Sequence, residues 1–158
     1  MSSKQPPLIM LAALLAASLV GAAESGFQLL SSREYQSELA AQAAPGATYV
    51  PRAADFNAPT IKVVKPDGSA AIQPPVDIDV QFIPTEGSTI NVGSLRILYG
   101  FLKLDITQRI LKAPGVQVSA SGLKANGAQL PSGSHKLLIE IADNVGRVAR
   151  QPVAFTVK

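Results

Sequence analysis

The sequence predicts an all-β protein, an antiparallel β-sandwich of about seven strands with a short N-terminal helix or disordered leader ahead of it. Three observations predict this. From about Pro59 to Lys158, apolar residues recur at every second position in short runs. Clusters of Pro, Gly, Asp and Asn punctuate those runs at intervals of about eight to twelve residues, the rhythm of a sandwich. No helical pattern of about 10–15 residues lies between the runs, which disfavours a parallel α/β arrangement. No internal repeat appears, so the pattern describes one module.

The first segment, residues 1–23, reads as an export signal. Lys4 is the one charge before Glu24, and Leu8 to Val20 is apolar or small. Gly21-Ala22-Ala23 supplies small residues for cleavage after Ala23, or after Ala22. A membrane span needs about 17–25 apolar residues. Leu8 to Ala23 is sixteen, diluted by Ala and Gly. A cleaved signal is therefore expected, leaving a periplasmic or secreted protein with no stable membrane insertion. Absence of Cys after the apolar run removes a lipoprotein anchor.

Residues 24–58 read as a leader and linker. Ser31-Ser32-Arg33-Glu34 fits a capping box. A helix over 32–43 follows, with a thin stripe of Tyr35, Leu39 and Ala43, ended by Pro45-Gly46. A helix this short needs something to pack on, so a disordered tether is the alternative. Thr48 to Ala58 contains Pro51, lacks periodicity and reads as a linker.

The sandwich is expected over 59–158, and six of its strands can be placed. Thr60–Lys65 is closed by Pro66-Asp67-Gly68, a turn signal. Val76, Ile78, Val80 and Phe82 alternate with Asp77, Asp79 and Gln81, giving one dry and one wet face. Leu95–Tyr99 is the next strand, and Asp105-Ile106-Thr107-Gln108 looks like a capped single turn. Val116–Ser121 follows. In His135–Ala142 the residues Leu137, Ile139 and Ile141 share a face. Asp143-Asn144-Val145-Gly146 makes a tight connection to Arg147–Val157, where Pro152 indicates an edge or bulge. Phe82, Ile139 and Phe155 should be core.

The order Ser94-Leu95-x-Ile97, Asp105-Ile106-Thr107, Leu130-x-x-Gly133-x-His135 and Asp143-x-x-Gly146-Arg147 resembles the bacterial immunoglobulin-like domains of exported and cell-envelope proteins. The resemblance covers about Ala58 to Lys158. The stretch Tyr99 to Leu104 departs from it, being longer and more apolar than the usual Asn-Gly turn. The resemblance implies a spacer, adhesion or binding module rather than an activity. Such sandwiches carry a corner in which a Tyr ring bonds back to the loop it terminates. His135, after Leu130-Pro131-Ser132-Gly133, resembles that corner and is read as structural.

Composition excludes several chemistries. With no Cys, one His, and Met only at positions 1 and 10, no soft-metal site of usual form can be assembled. Calcium needs converging carboxylates, and Asp77, Asp79 and Asp143-Asn144 have no such partners in sequence. Gly-x-Ser-x-Gly and phosphate loops are absent. The net charge of +3 is spread singly, with no Lys/Arg run, so no nucleic-acid footprint is expected. No cofactor and no metal are expected, and the chain reads as non-enzymatic. The expected function is a protein-binding or structural module of the cell envelope. The candidate partner surface is Tyr99, Phe101, Lys103 and Arg109. A carbohydrate-binding accessory domain using Tyr99 and Phe101 as platforms is the alternative, since there is no Trp. A small periplasmic hydrolase using His135 is a third.

Overall fold

Val76, Ile78, Val80 and Phe82 all point into the core, and the alternation that puts them there organises the whole molecule. The computed structural model describes residues 26–46 and 53–158. Residues 1–25, where the export signal is expected, and 47–52, in the expected linker, lie outside the described residues. The elements in chain order are β1 (Phe27–Gln28), α1 (Ser32–Gln42), β2 (Thr60–Lys65), β3 (Val76–Ile83), β4 (Ile90–Tyr99), β5 (Leu104–Asp105), α2 (Thr107–Leu111), β6 (Gln117–Ser119), β7 (Gly122–Gln129), β8 (Gly133–Asp143) and β9 (Val148–Val157).

They form two facing sheets. One runs β2-β3-β7, with β6 and β1 sharing the far side of β7; the other runs β5-β4-β8-β9. All pairs between strands are antiparallel except β1 with β7. The order β2-β3-β7-β6 against β4-β8-β9 is that of a seven-stranded immunoglobulin constant-type sandwich. Its core joins the inner faces of β3 and β7 to Leu95, Ile97, Leu137, Ile139, Val153 and Phe155 of the opposing sheet.

The strand that periodicity does not find is β7. Its sequence, Gly122-Leu-Lys-Ala-Asn-Gly-Ala-Gln129, has low strand propensity and only Leu123, Ala125 and Ala128 buried. Pairing with β3, β6 and β1 on its two sides holds it in place.

Pro152 sits on the edge strand β9. The backbone groups of Val148 and Thr156 point away from β8, since their carbonyls accept from Asp55 and Ile72 at 3.0 and 2.8 Å. Pro152 shares their parity, so the N–H it lacks would have faced outward. The β8–β9 connection is built on Asp143. Its Oδ1 accepts from the Val145 and Arg147 amides at 3.1 and 2.9 Å, and its Oδ2 from Arg147 Nε at 2.6 Å. Burial pushes this carboxyl up, but the Arg147 and Val145 donors outweigh it and hold it below the usual range.

Candidate interaction surface

Helix α1 begins with the capping box expected from Ser31 and Glu34. Glu34 N–H donates to Ser31 Oγ at 3.3 Å, and Ser31 N–H to Glu34 Oε2 at 2.9 Å. What the helix packs on differs from the expected stripe. Tyr35 is buried, but Leu39 is 40% exposed and Ala43 is exposed; the second inward residue is Glu38, 2% exposed. The reason is the β4–β5 turn beneath it, which presents backbone amides rather than an apolar surface. Glu38 Oε1 accepts from Phe101 N–H, and Oε2 from Leu102 N–H at 3.0 Å. Gln42 Nε2 adds a third donor at 2.8 Å. Gly100 takes φ +67°, and a β-carbon there would run into the Glu38 carboxyl, so only glycine fits.

The segment before the helix is also part of the sandwich. Phe27, Leu29 and Leu30 join the core, and Leu29 N–H donates to the Gln129 carbonyl at 3.0 Å. Arg109 of α2 clamps it from outside. Its guanidinium donates to Glu34 Oε1 and Oε2 at 2.7 and 3.0 Å, and to the Leu29 carbonyl at 2.7 Å. The Arg109 bond holds the Glu34 carboxyl down at about 2, against burial.

Below α1 lies an aromatic cluster around His135. Its ring stands 5.1 Å from Tyr35 and 5.5 Å from Phe155, centroid to centroid. Nε2 donates to the Pro131 carbonyl at 2.8 Å. That carbonyl can only accept, so Nδ1 is the bare nitrogen and accepts from the Tyr99 hydroxyl at 2.7 Å. The corner reading is thus realised in detail, with His in the place of Tyr near the start of β8. Burial holds His135 below the ordinary histidine range, the Pro131 bond pulling the other way. Burial likewise pushes the Tyr99 phenol up.

The four residues of the expected partner surface therefore separate. Tyr99 is 2% exposed and is withdrawn from any surface, because β4 turns its ring inward to His135. Arg109 is committed to Glu34 and Leu29. Lys103 occupies the second positive-φ position of the turn, at +51°. Phe101 is half-buried and borders a hollow of about 390 Å³ on the outer face of β8 and β9. Its other walls are Gln42, Lys136, Leu138, Pro152 and Ala154. Register explains the site, since Leu138 lies opposite Pro152, and Lys136 opposite Ala154. Sequence reasoning missed Leu138. Its signal was the unbroken run Leu137-Leu138-Ile139, which puts an apolar side chain on the face that alternation reserves for polar ones.

Among the described residues, no group of three or more His, Asp or Glu is placed to hold a metal ion, and no helix is long and apolar enough to cross a membrane.

No family model and no curated protein matches this chain. Among solved structures it is similar to the crystal structure of CopC from Methylosinus trichosporium OB3b, at 15% identity and a TM-score of 0.38. The match covers 63% of this chain and 94% of that one. No residue of this chain takes a role from that likeness.

Proposed function

We propose that the protein is an exported, non-enzymatic module of the cell envelope, of the bacterial immunoglobulin-like class, that holds another protein at the hollow beside Phe101. The observation that carries this is an apolar concavity on a sheet face that should be wet. Phe101, Leu138, Pro152 and Ala154 surround it, with Lys136 at the rim. Such a site suits an apolar side chain of a partner, and Lys136 favours an acidic neighbour beside it. Export rests on Lys4, the apolar run to Val20 and Gly21-Ala22-Ala23. The non-enzymatic reading is supported by His135, both of whose ring nitrogens are engaged inside the molecule. A hydrolase with His135 as its base would have to break one of these bonds. A sugar on this face would have Phe101 alone as a platform, because Tyr99 faces inward.

The test is affinity capture from an envelope extract with the parent and with Leu138→Lys, both checked for native circular dichroism. A partner retained by the parent and lost with Leu138→Lys is expected. Equal retention by both removes the hollow from the interaction.

A further inference from the structure

Phe56 is 88% exposed, more than any other large apolar side chain among the described residues. An exposed apolar residue is ordinary by itself, but this one is held out on a fixed turn. Ala58 N–H donates to the Asp55 carbonyl at 3.2 Å, and Asn57 between them takes φ +54°, a left-handed value that Asn tolerates. Two neighbours pin the turn. On one side, Asp55 N–H donates to the Val148 carbonyl at 3.0 Å, and Asp55 Oδ2 accepts from Val148 N–H at 2.9 Å. On the other, the Thr85 hydroxyl lies 3.0 and 3.1 Å from the Asn57 and Ala58 carbonyls and donates to them. The backbone beneath Phe56 is thus ordered before any partner arrives, so seating its ring costs little entropy.

The same molecule carries a cavity of matching chemistry. The hollow beside Phe101, about 390 Å³, is walled by Leu138, Pro152 and Ala154 and has room for one aromatic ring. Phe56 does not fill it within its own chain, since the ring stands in solvent. The charges match as well. Lys136 stands at the rim of the hollow, and Glu86 follows Thr85, which bonds the Phe56 turn. Both are exposed, and neither forms an ion pair with another described residue. An aromatic anchor with an acid beside it is therefore complementary to an apolar hollow with a cation at its rim.

We propose that Phe56 of one copy seats in the hollow beside Phe101 of a second copy, with Glu86 facing Lys136. This rests on the reading of that hollow as a protein-binding site and names the protein held there as this chain itself. The contact joins two different surfaces, so each added copy still offers one Phe56 and one hollow. Assembly then runs head to tail, closing into a ring or extending as a filament. One aromatic anchor buries less than a stable interface needs, so association should appear at about 0.1–1 mM.

The test is analytical ultracentrifugation of the protein as isolated after export, with concentration raised through that range, on variants that keep native circular dichroism. The parent should form species larger than a dimer. Phe56→Ala, which lacks the anchor, and Leu138→Lys, which lacks the hollow, should each associate at least about tenfold more weakly. Ala154→Lys, at an exposed wall, serves as a second variant of the hollow. An equimolar mixture of Phe56→Ala with either variant of the hollow should form dimers and stop there, because one intact anchor meets one intact hollow. A mixture of Glu86→Lys with Lys136→Glu should likewise associate more strongly than either alone. A parent that stays monomeric, Phe56→Ala that associates like the parent, or failure of either kind of mixture overturns the proposal. Capture from an envelope extract of a different protein, lost with Leu138→Lys while the purified parent stays monomeric, overturns self-association and leaves the hollow as a protein-binding site.

Discussion

Replacing Glu38 by Gln should destabilise the protein by about 2–3 kcal/mol, because its carboxylate is the acceptor that two backbone amides of the β4–β5 turn depend on. Phe101 and Leu102 both donate to it, and Gln42 adds a third bond. A hydrogen bond to a charged group contributes about 1.5–3 kcal/mol, and a donor left unpaired costs about 1–3 kcal/mol. Gln keeps the shape but offers one oxygen in place of two. Its amide group then opposes one of the turn's N–H groups, so one charge-assisted bond is lost and one donor is stranded. Relief from burying a charge offsets part of that loss, which leaves the figure near the size of one bond. The assay is urea unfolding, with amide hydrogen exchange at Phe101 and Leu102 as the local readout. Both amides should lose protection while Ile139 in the core keeps its own relative to global stability. Unchanged stability with unchanged protection at Phe101 and Leu102 would refute the claim that Glu38 holds the turn.

Arg109→Met should cost about 1–2 kcal/mol. The ion pair with Glu34 is partly exposed and worth about 1 kcal/mol after solvent screening, and the Leu29 carbonyl bond adds about as much. Glu34, observed by carboxyl NMR, should then titrate upward from about 2 toward its ordinary 4.5; an unmoved titration contradicts the clamp. Stability should fall as pH drops below 6.5, the ordinary histidine value. An unfolded chain takes up a proton there that folded His135 refuses, so the loss continues until the folded pKa is passed. Chemical denaturation at a series of pH values should show this slope in the parent and not in His135→Gln, whereas equal slopes would assign it elsewhere. Phe155→Ala should cost about 3–5 kcal/mol, read as a lower melting temperature, since Phe155 is 4% exposed and stacks on His135.

The sandwich was legible wherever one face of a strand is wet. β3 alternates cleanly, and the corner at His135 was legible through the resemblance of Leu130-x-x-Gly133-x-His135 to the Tyr corner of such sandwiches. The strand β7 was not legible, because Gly122, Asn126 and Gly127 speak against a strand and only its neighbours on both sides overrule them. The helix was legible from Ser31 and Glu34, but its inward face was not. Helical spacing pairs Tyr35 with Leu39, whereas the backbone amides of Phe101 and Leu102 choose Glu38. Of the surface residues, Phe101 was legible as an apolar residue in an unusual turn. Tyr99 looked equivalent to it in sequence, but Tyr99 shares the inward face of Leu95 and Ile97 at the end of β4, and the turn at Gly100 carries Phe101 off that face.

The most direct test of the central claim is site-specific photo-crosslinking in cells, with a benzophenone amino acid at Phe101 and, as a control, at Val145, which is 66% exposed in the β8–β9 connection. A discrete adduct to one protein from position 101, absent from position 145 and abolished by Leu138→Lys, is the predicted result. No adduct from position 101, or the same adduct from both positions, contradicts a partner seated beside Phe101.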